Sequence, residues 1–176
     1  MTPNIIKRTL LIGYGNVYCR DDGVAFHVIN LLRQRAGLPV LQDDQDGLDD
    51  LGRPGDAILV HQLVPEIVSV VVRYEHVVFI DAHRGAIPDE VRVVEVREEF
   101  GFHAVTHHMS PGMLLALARK DSHPVPRAHL VSVKGDDFDF GLGLSEHCLR
   151  RAEMAEKVIL DMMNPKVGGI ECTNCP

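Results

Sequence analysis

The sequence has no excess of basic residues and few cysteines, and both absences exclude classes of function. Lysine and arginine total 18 against 25 aspartate and glutamate residues, which gives a formal net charge of -7. A surface that binds a phosphate backbone needs a local basic excess, so we expect no nucleic-acid partner. The four cysteines are too few and too scattered for the disulfide framework of a secreted domain. A reducing compartment is therefore expected.

Long apolar runs are also missing. No stretch approaches the roughly 18 apolar residues that a membrane helix requires, so we expect no association with a membrane. The segment from Met1 to Arg8 shows no apolar stretch of signal-peptide length followed by small residues. These features predict a cytoplasmic protein, and 176 residues fit one domain with one core. We place that domain at residues 1–164 and expect a flexible tail at residues 165–176.

What is present is an alternation of β-rich runs and helical patterns. The continuously apolar run Val77–Ile80 predicts a strand that is covered on both faces. Helical patterns follow Gly23, Pro65, Ser110 and Ser145. The alternation predicts an α/β fold, a three-layer α/β/α sandwich whose mostly parallel, twisted, five-stranded sheet has helices on both faces. The predicted strands are Thr9–Gly13, Ala57–His61, His76–Ala82, Val91–Val96 and His129–Gly135.

Two connections between the predicted elements have a distinct composition. The segment Arg84–Pro88 between the third and fourth strands is short, which suggests a hairpin-like connection with one strand antiparallel. The segment Gln42–Asp56 is rich in aspartate and contains no aromatic residue. Its composition predicts a solvated surface loop.

Chemically active side chains lie in three loops that can reach one edge of the sheet. Asp22 lies in the loop after the first strand, Asp81 ends the third strand, and His107 and His108 precede a helix. In parallel α/β sheets ligands bind at the edge where the strands end. Helix capping would account for either Asp21 or Asp22, and a lone loop histidine is usually an ordinary surface residue. Two carboxylates and one imidazole suit a first-row divalent cation and leave coordination positions open.

Five short motifs occur in a fixed order between Thr9 and Met163. They are Gly13-Tyr14-Gly15-Asn16 followed by Asp21-Asp22-Gly23, His61-Gln62-Leu63-Val64-Pro65-Glu66, Ile80-Asp81-Ala82, Thr106-His107-His108-Met109-Ser110, and Gly141-Leu142-Gly143-Leu144-Ser145. In kind and order these motifs resemble those of the nickel–iron hydrogenase maturation proteases, the endopeptidases that trim the hydrogenase large subunit.

This resemblance implies a function and a set of site residues. The implied activity is removal of the C-terminal extension of a nickel–iron hydrogenase large-subunit precursor after nickel insertion. Asp22, Asp81 and His107 are the implied metal-contacting residues, with His108 as the alternative to His107. Asp22 and Asp81 are also the candidate catalytic residues. The nickel would be carried transiently by the substrate, and another divalent metal would take its place in vitro. We expect the enzyme to be a monomer, because the site must admit a peptide.

Residues of the same motifs are candidates for contact with the substrate, namely Gly15, Asn16, Gln62 and His108. Two other functions stay open: a nickel-dependent assembly chaperone that does not cleave, and a nucleotide- or flavin-binding module that uses the loop after the first strand as a backbone cradle. The carboxylates of Asp21 and Asp22 beside that loop would repel a phosphate, which disfavours the binding module.

Overall fold

A mixed five-stranded sheet forms the centre of the computed structural model, which describes residues 8–43, 45–100, 109–120 and 123–164. His107, His108 and the predicted tail at residues 165–176 lie outside these residues. The strands are β1 (Thr9–Tyr14), β2 (Gly55–Val60), β3 (His76–His83), β4 (Val91–Glu95) and β5 (Arg127–Lys134). The helices are α1 (Val24–Arg35), α2 (Val68–Val71), α3 (Pro111–Lys120) and α4 (Glu146–Met163).

The strand order is β2-β1-β3-β5-β4, and every neighbouring pair is parallel except β4 with β5. The predicted mostly parallel α/β sheet is therefore confirmed, with one antiparallel strand. The prediction of a hairpin-like connection between β3 and β4 is wrong, because β5 lies between these two strands in the sheet. Residues 84–90 can extend over more than about 20 Å, whereas two strand spacings are only about 10 Å. The short segment therefore crosses over β5 and leaves β4 at the sheet edge.

Helices cover both faces of the sheet. Val78 and Ile80 of β3 pack on one face with buried residues of α1 and α4. Val77 and Phe79 point to the other face, where α2 and α3 cover them. All four side chains are fully buried. Because successive strand side chains point to opposite faces, only a strand covered twice accommodates such a continuous apolar run.

Local sequence signals set the start of two helices as predicted. The Ser110 hydroxyl accepts a hydrogen bond from the Met113 amide at 3.1 Å, and the Ser145 hydroxyl accepts one from the Cys148 amide at 3.3 Å. Both bonds satisfy amides that the first turn of a helix leaves without a partner. The helical pattern after Pro65 yields only a short 3-10 turn and the four residues of α2, in keeping with its β-branched valines.

The acidic segment Gln42–Asp56 is only partly the solvated loop that its composition predicts. Gln42 and Asp43 are exposed, but the guanidinium of the buried Arg33 donates to the Asp50 carboxylate at 2.5 Å. Asp56 is buried at the start of β2, where it accepts hydrogen bonds from two backbone amides and from a tyrosine hydroxyl. Charged side chains that find such partners can be buried, and composition does not reveal the partners.

Candidate active site

The loop between β1 and α1 holds Asp22 at the edge of the sheet where the parallel strands end. Gly15 has a φ of 142°, and a Cβ atom at this position would lie 2.2 Å from the backbone oxygen of Asp22. Only glycine fits so close an approach of two backbone segments. The Asn16 amide then donates a hydrogen bond of 2.8 Å to Oδ2 of Asp22. The predicted site residues Gly15 and Asn16 thus shape the backbone that orients the Asp22 carboxylate.

The Asn16 side chain stabilises the same loop from within. Its Oδ1 accepts a hydrogen bond from the Tyr18 amide at 3.0 Å, and its Nδ2 donates to Sγ of Cys19 at 3.3 Å. Asn16 is exposed, so contact with a substrate remains a prediction alongside this structural role.

Asp21 has a different role from its neighbour. Its buried Oδ2 accepts hydrogen bonds from the amides of Asp136 and Asp137 and from the Ser145 hydroxyl, at 2.7–3.0 Å, and its Oδ1 accepts from the Ser145 amide at 2.7 Å. Burial opposes ionisation of Asp21, but these bonds outweigh it and hold the pKa of the carboxyl below its ordinary value. Asp21 therefore fixes the segment before α4, and the helix capping expected of one of the two acids is not its function.

Asp81 lies on β3 with its carboxyl close to Asp22. Burial, together with the negative charge of Asp22, raises the pKa of Asp81 to about 6, against opposing hydrogen bonds from the Ala82 amide and the Tyr14 hydroxyl. The Ala82 amide donates at 2.8 Å. Burial and the Asp81 charge also raise the pKa of the Tyr14 phenol, so Tyr14 stays protonated and acts as a donor. The structure thus brings together Asp22 and Asp81, two of the three predicted metal-contacting residues.

A cleft of about 310 Å³ opens beside Asp22. Tyr14 and Gly15 form one wall, Val60 and His61 at the end of β2 form another, and exposed acidic residues of the segment Gln42–Asp56 complete the rim. Gln62, a predicted substrate-contacting residue, is exposed directly after His61. The cleft leaves Asp22 accessible from the β2 side.

Within the described parts of the chain, no three histidine, cysteine, aspartate or glutamate side chains are arranged to hold a metal ion. The third predicted ligand, His107, and its alternative His108 lie outside those parts. Their place at the site stays a prediction. Both histidines precede α3 in the sequence, and α3 begins at Pro111 and packs on the face of the sheet that carries Asp81. This position is consistent with the prediction.

Comparison with known proteins finds no matching family model and no matching curated protein, but it finds solved structures of the same fold. The hydrogenase maturating endopeptidase HybD from E. coli superimposes with a TM-score of 0.66 and 16% identity, over 91% of this chain and 94% of that chain. HybD from Thermococcus kodakarensis gives a TM-score of 0.61 and 17% identity, over 89% and 99%. The hydrogenase 2 maturation peptidase from Thaumarchaeota archaeon SCGC_AB-539-E09 gives 0.59 and 20%, over 90% and 99%.

The chain has the fold of the hydrogenase maturation proteases. The fold implied by the sequence motifs is thereby confirmed over nearly the whole length of these neighbours. In this chain Asp22 lies between β1 and α1, and Asp81 lies within β3, two residues before the strand ends at His83.

A pair of polar residues, His83 and Ser132, lies beside Asp81 in this maturation-protease fold, and sequence reasoning missed Ser132. The buried His83 imidazole has Nε2 2.9 Å from the Asp89 carbonyl oxygen and Nδ1 3.0 Å from the Ser132 hydroxyl. A carbonyl only accepts, so Nε2 carries a proton and donates to Asp89, while Nδ1 shares a hydrogen bond with the Ser132 hydroxyl. Ser132 is also the register partner of Asp81. The spacing of Asp81 and His83 places both on one strand face, but no local pattern indicates Ser132.

No helix in the described part of the chain is long and apolar enough to cross a membrane.

Proposed function

We propose that this protein is an endopeptidase that removes the C-terminal extension of a nickel–iron hydrogenase large-subunit precursor after nickel has been inserted. The observation that carries the proposal is the approach of the Asp22 and Asp81 carboxylates at the sheet edge of a fold shared with hydrogenase maturation proteases. The enzyme acts in the cytoplasm as a monomer, in keeping with the cysteine content and with a cleft that has to admit a polypeptide.

The paired carboxylates suit recognition of a metal ion brought by the substrate. Burial and, to a smaller extent, the charge of Asp22 raise the pKa of Asp81, and a divalent cation near the two carboxyls would offset both effects. With His107 the ligand set contains two oxygens and one nitrogen but no thiolate, which gives only moderate affinity for nickel. The nickel therefore arrives with the precursor, and another divalent metal binds the free enzyme only weakly in vitro.

The same carboxylates can carry out the acid–base chemistry of peptide hydrolysis. In the free enzyme Asp81, with a pKa of about 6, is mostly ionised at neutral pH, and in the complex it removes a proton from the water that attacks the scissile carbonyl carbon. The resulting carboxylic acid is acidic enough to deliver that proton to the departing amine. The Tyr14 hydroxyl orients Asp81, and Asp22 holds the metal ion and the substrate beside it. Gly15, Asn16, Gln62 and His108 are the proposed contacts for the peptide.

The test is mass spectrometry of the precursor's carboxyl terminus after incubation with the enzyme. We expect cleavage of the nickel-loaded precursor and no cleavage of the nickel-free precursor. Asp22→Asn should abolish the cleavage, whereas Asp139→Asn, which removes an exposed carboxylate from another loop, should leave it intact. Equal rates on both precursors would refute recognition through nickel. Binding of the loaded precursor without cleavage would identify an assembly chaperone.

A further inference from the structure

Three large apolar side chains are exposed together on one side of the candidate active site. Phe140 is 85% exposed, Leu142 69% and Tyr18 43%. Tyr18 belongs to the loop that carries Asn16 and Asp22, and the backbone pairs Cys19 with Gly141, between Phe140 and Leu142. We refer to Tyr18, Phe140 and Leu142 as the apolar rim.

The backbone that displays the apolar rim is held in place by many hydrogen bonds. The Gly141 amide donates to the Tyr18 carbonyl at 2.8 Å, and the Arg20 amide donates to the Gly141 carbonyl at 3.0 Å. The Asp21 carboxylate holds the same segment through the hydrogen bonds that it accepts from Asp136, Asp137 and Ser145. The rim side chains thus project from a fixed frame, so a partner need not order the loop when it binds.

A neighbouring aromatic residue shows that the segment can partly bury such a side chain. Phe138 packs against Gly135 and lies under the Arg84 guanidinium, whose central carbon is 4.3 Å from the ring centroid. Two residues later Phe140 points into solvent. Large apolar side chains clustered on a fixed surface are typical of sites that bind another protein.

We propose that the apolar rim docks the body of the precursor protein, outside the extension that is cut. This inference rests on the proposed function. None of the three rim residues lines the cleft beside Asp22, so the peptide in that cleft leaves the rim uncovered. Tyr18 belongs to the loop that carries Asp22, so the rim adjoins the candidate active site, and a precursor whose C-terminal extension occupies the cleft has its body beside this surface. The rim therefore favours a folded precursor over a free peptide, because a free peptide in the cleft makes no contact with the rim.

The test compares two double variants of the full-length enzyme. Phe140→Ser with Leu142→Ser removes most of the rim, and Val93→Ser with Met154→Ser removes two apolar residues of 41% and 44% exposure from β4 and α4. For the rim variant we expect KM for the nickel-loaded precursor and the Kd of the complex to rise at least about tenfold, with kcat and Tm unchanged. The control variant should match the wild type.

The possible outcomes separate this proposal from the proposed function. Cleavage by the rim variant with an unchanged KM overturns the docking proposal and leaves the protease proposal standing. Loss of precursor binding in the rim variant, with no cleavage even by the wild type, supports docking and refutes the protease. A wild-type dimer that the rim variant converts to a monomer, with KM unchanged, overturns docking in favour of contact between copies. If the double variant does not fold, Phe140→Ser alone is measured in the same way.

Discussion

The two adjacent acids Asp21 and Asp22 should respond in opposite ways to the same substitution. Asp21→Asn is expected to lower the free energy of unfolding, because its carboxylate is buried and accepts four hydrogen bonds. Asp22→Asn is expected to leave the free energy of unfolding nearly unchanged and to abolish cleavage. The only difference between the variants is which of two neighbouring carboxylates loses its charge.

The size of the effect at Asp21 follows from its contacts. If the amide oxygen of the variant replaces Oδ2, it keeps the bonds from Asp136, Asp137 and the Ser145 hydroxyl, but its NH₂ group then faces the Ser145 amide. One bond to a charged acceptor, about 1.5–3 kcal/mol, is lost and the remaining three weaken because the acceptor is neutral. The sum is a loss of about 2–4 kcal/mol, a large part of the roughly 5–15 kcal/mol that stabilise a domain. At Asp22, an amide oxygen keeps the bond from Asn16, so we expect a change within about 0.5 kcal/mol.

Urea unfolding and precursor cleavage measure the two effects separately. The midpoint of unfolding should fall for Asp21→Asn and stay at the wild-type value for Asp22→Asn and for the control Asp139→Asn. Cleavage should be lost for Asp22→Asn and retained by Asp139→Asn. A wild-type midpoint for Asp21→Asn would refute the structural role of that carboxylate. Undiminished cleavage by Asp22→Asn would remove it from the catalytic role.

Other predictions follow from the same contacts. The depressed pKa of Asp21 contributes stability that is present above its unfolded pKa of about 3.9 and is lost as the pH falls through the lower folded value, so acid unfolding should be less steep in Asp21→Asn. Because the pKa of Asp81 is raised to about 6, kcat/KM should increase as the pH rises through that value, and Asp81→Asn should remove both the cleavage and this dependence. Gly15→Ala should abolish cleavage and destabilise the protein by more than about 1 kcal/mol, as measured by thermal unfolding, since its Cβ would collide with the Asp22 backbone. Ser132→Ala should lower the free energy of unfolding, measured with urea, by about 1–3 kcal/mol, because the His83 Nδ1 loses its buried hydrogen-bond partner. Ser132→Thr should restore part of this loss.

The strands, the caps and the placement of Asp81 were predictable because each depends on a local pattern. A continuously apolar run followed by aspartate predicts a buried strand with a carboxylate near its end, and β3 is such a strand, with Asp81 two residues before its last residue. The position of β4 was not predictable, because a short connection fits both a hairpin and a crossover over β5. The roles of Asp21 and Asp22 could not be separated from sequence either. Their difference depends on Ser145, which is distant in the chain and comes close only in the folded structure.

The hydrogen bonds of Asp21 span 115, 116 and 124 residues of sequence. The loop that orients Asp22 is therefore synthesised well before the segment that fixes it and before the first turn of α4. A ribosome-bound chain that ends before Asp136 has every residue of the loop but lacks the partners of the Asp21 carboxylate. The loop should reach its final shape only after Ser145 has been added, so the start of α4 sets the moment at which the candidate active site can form.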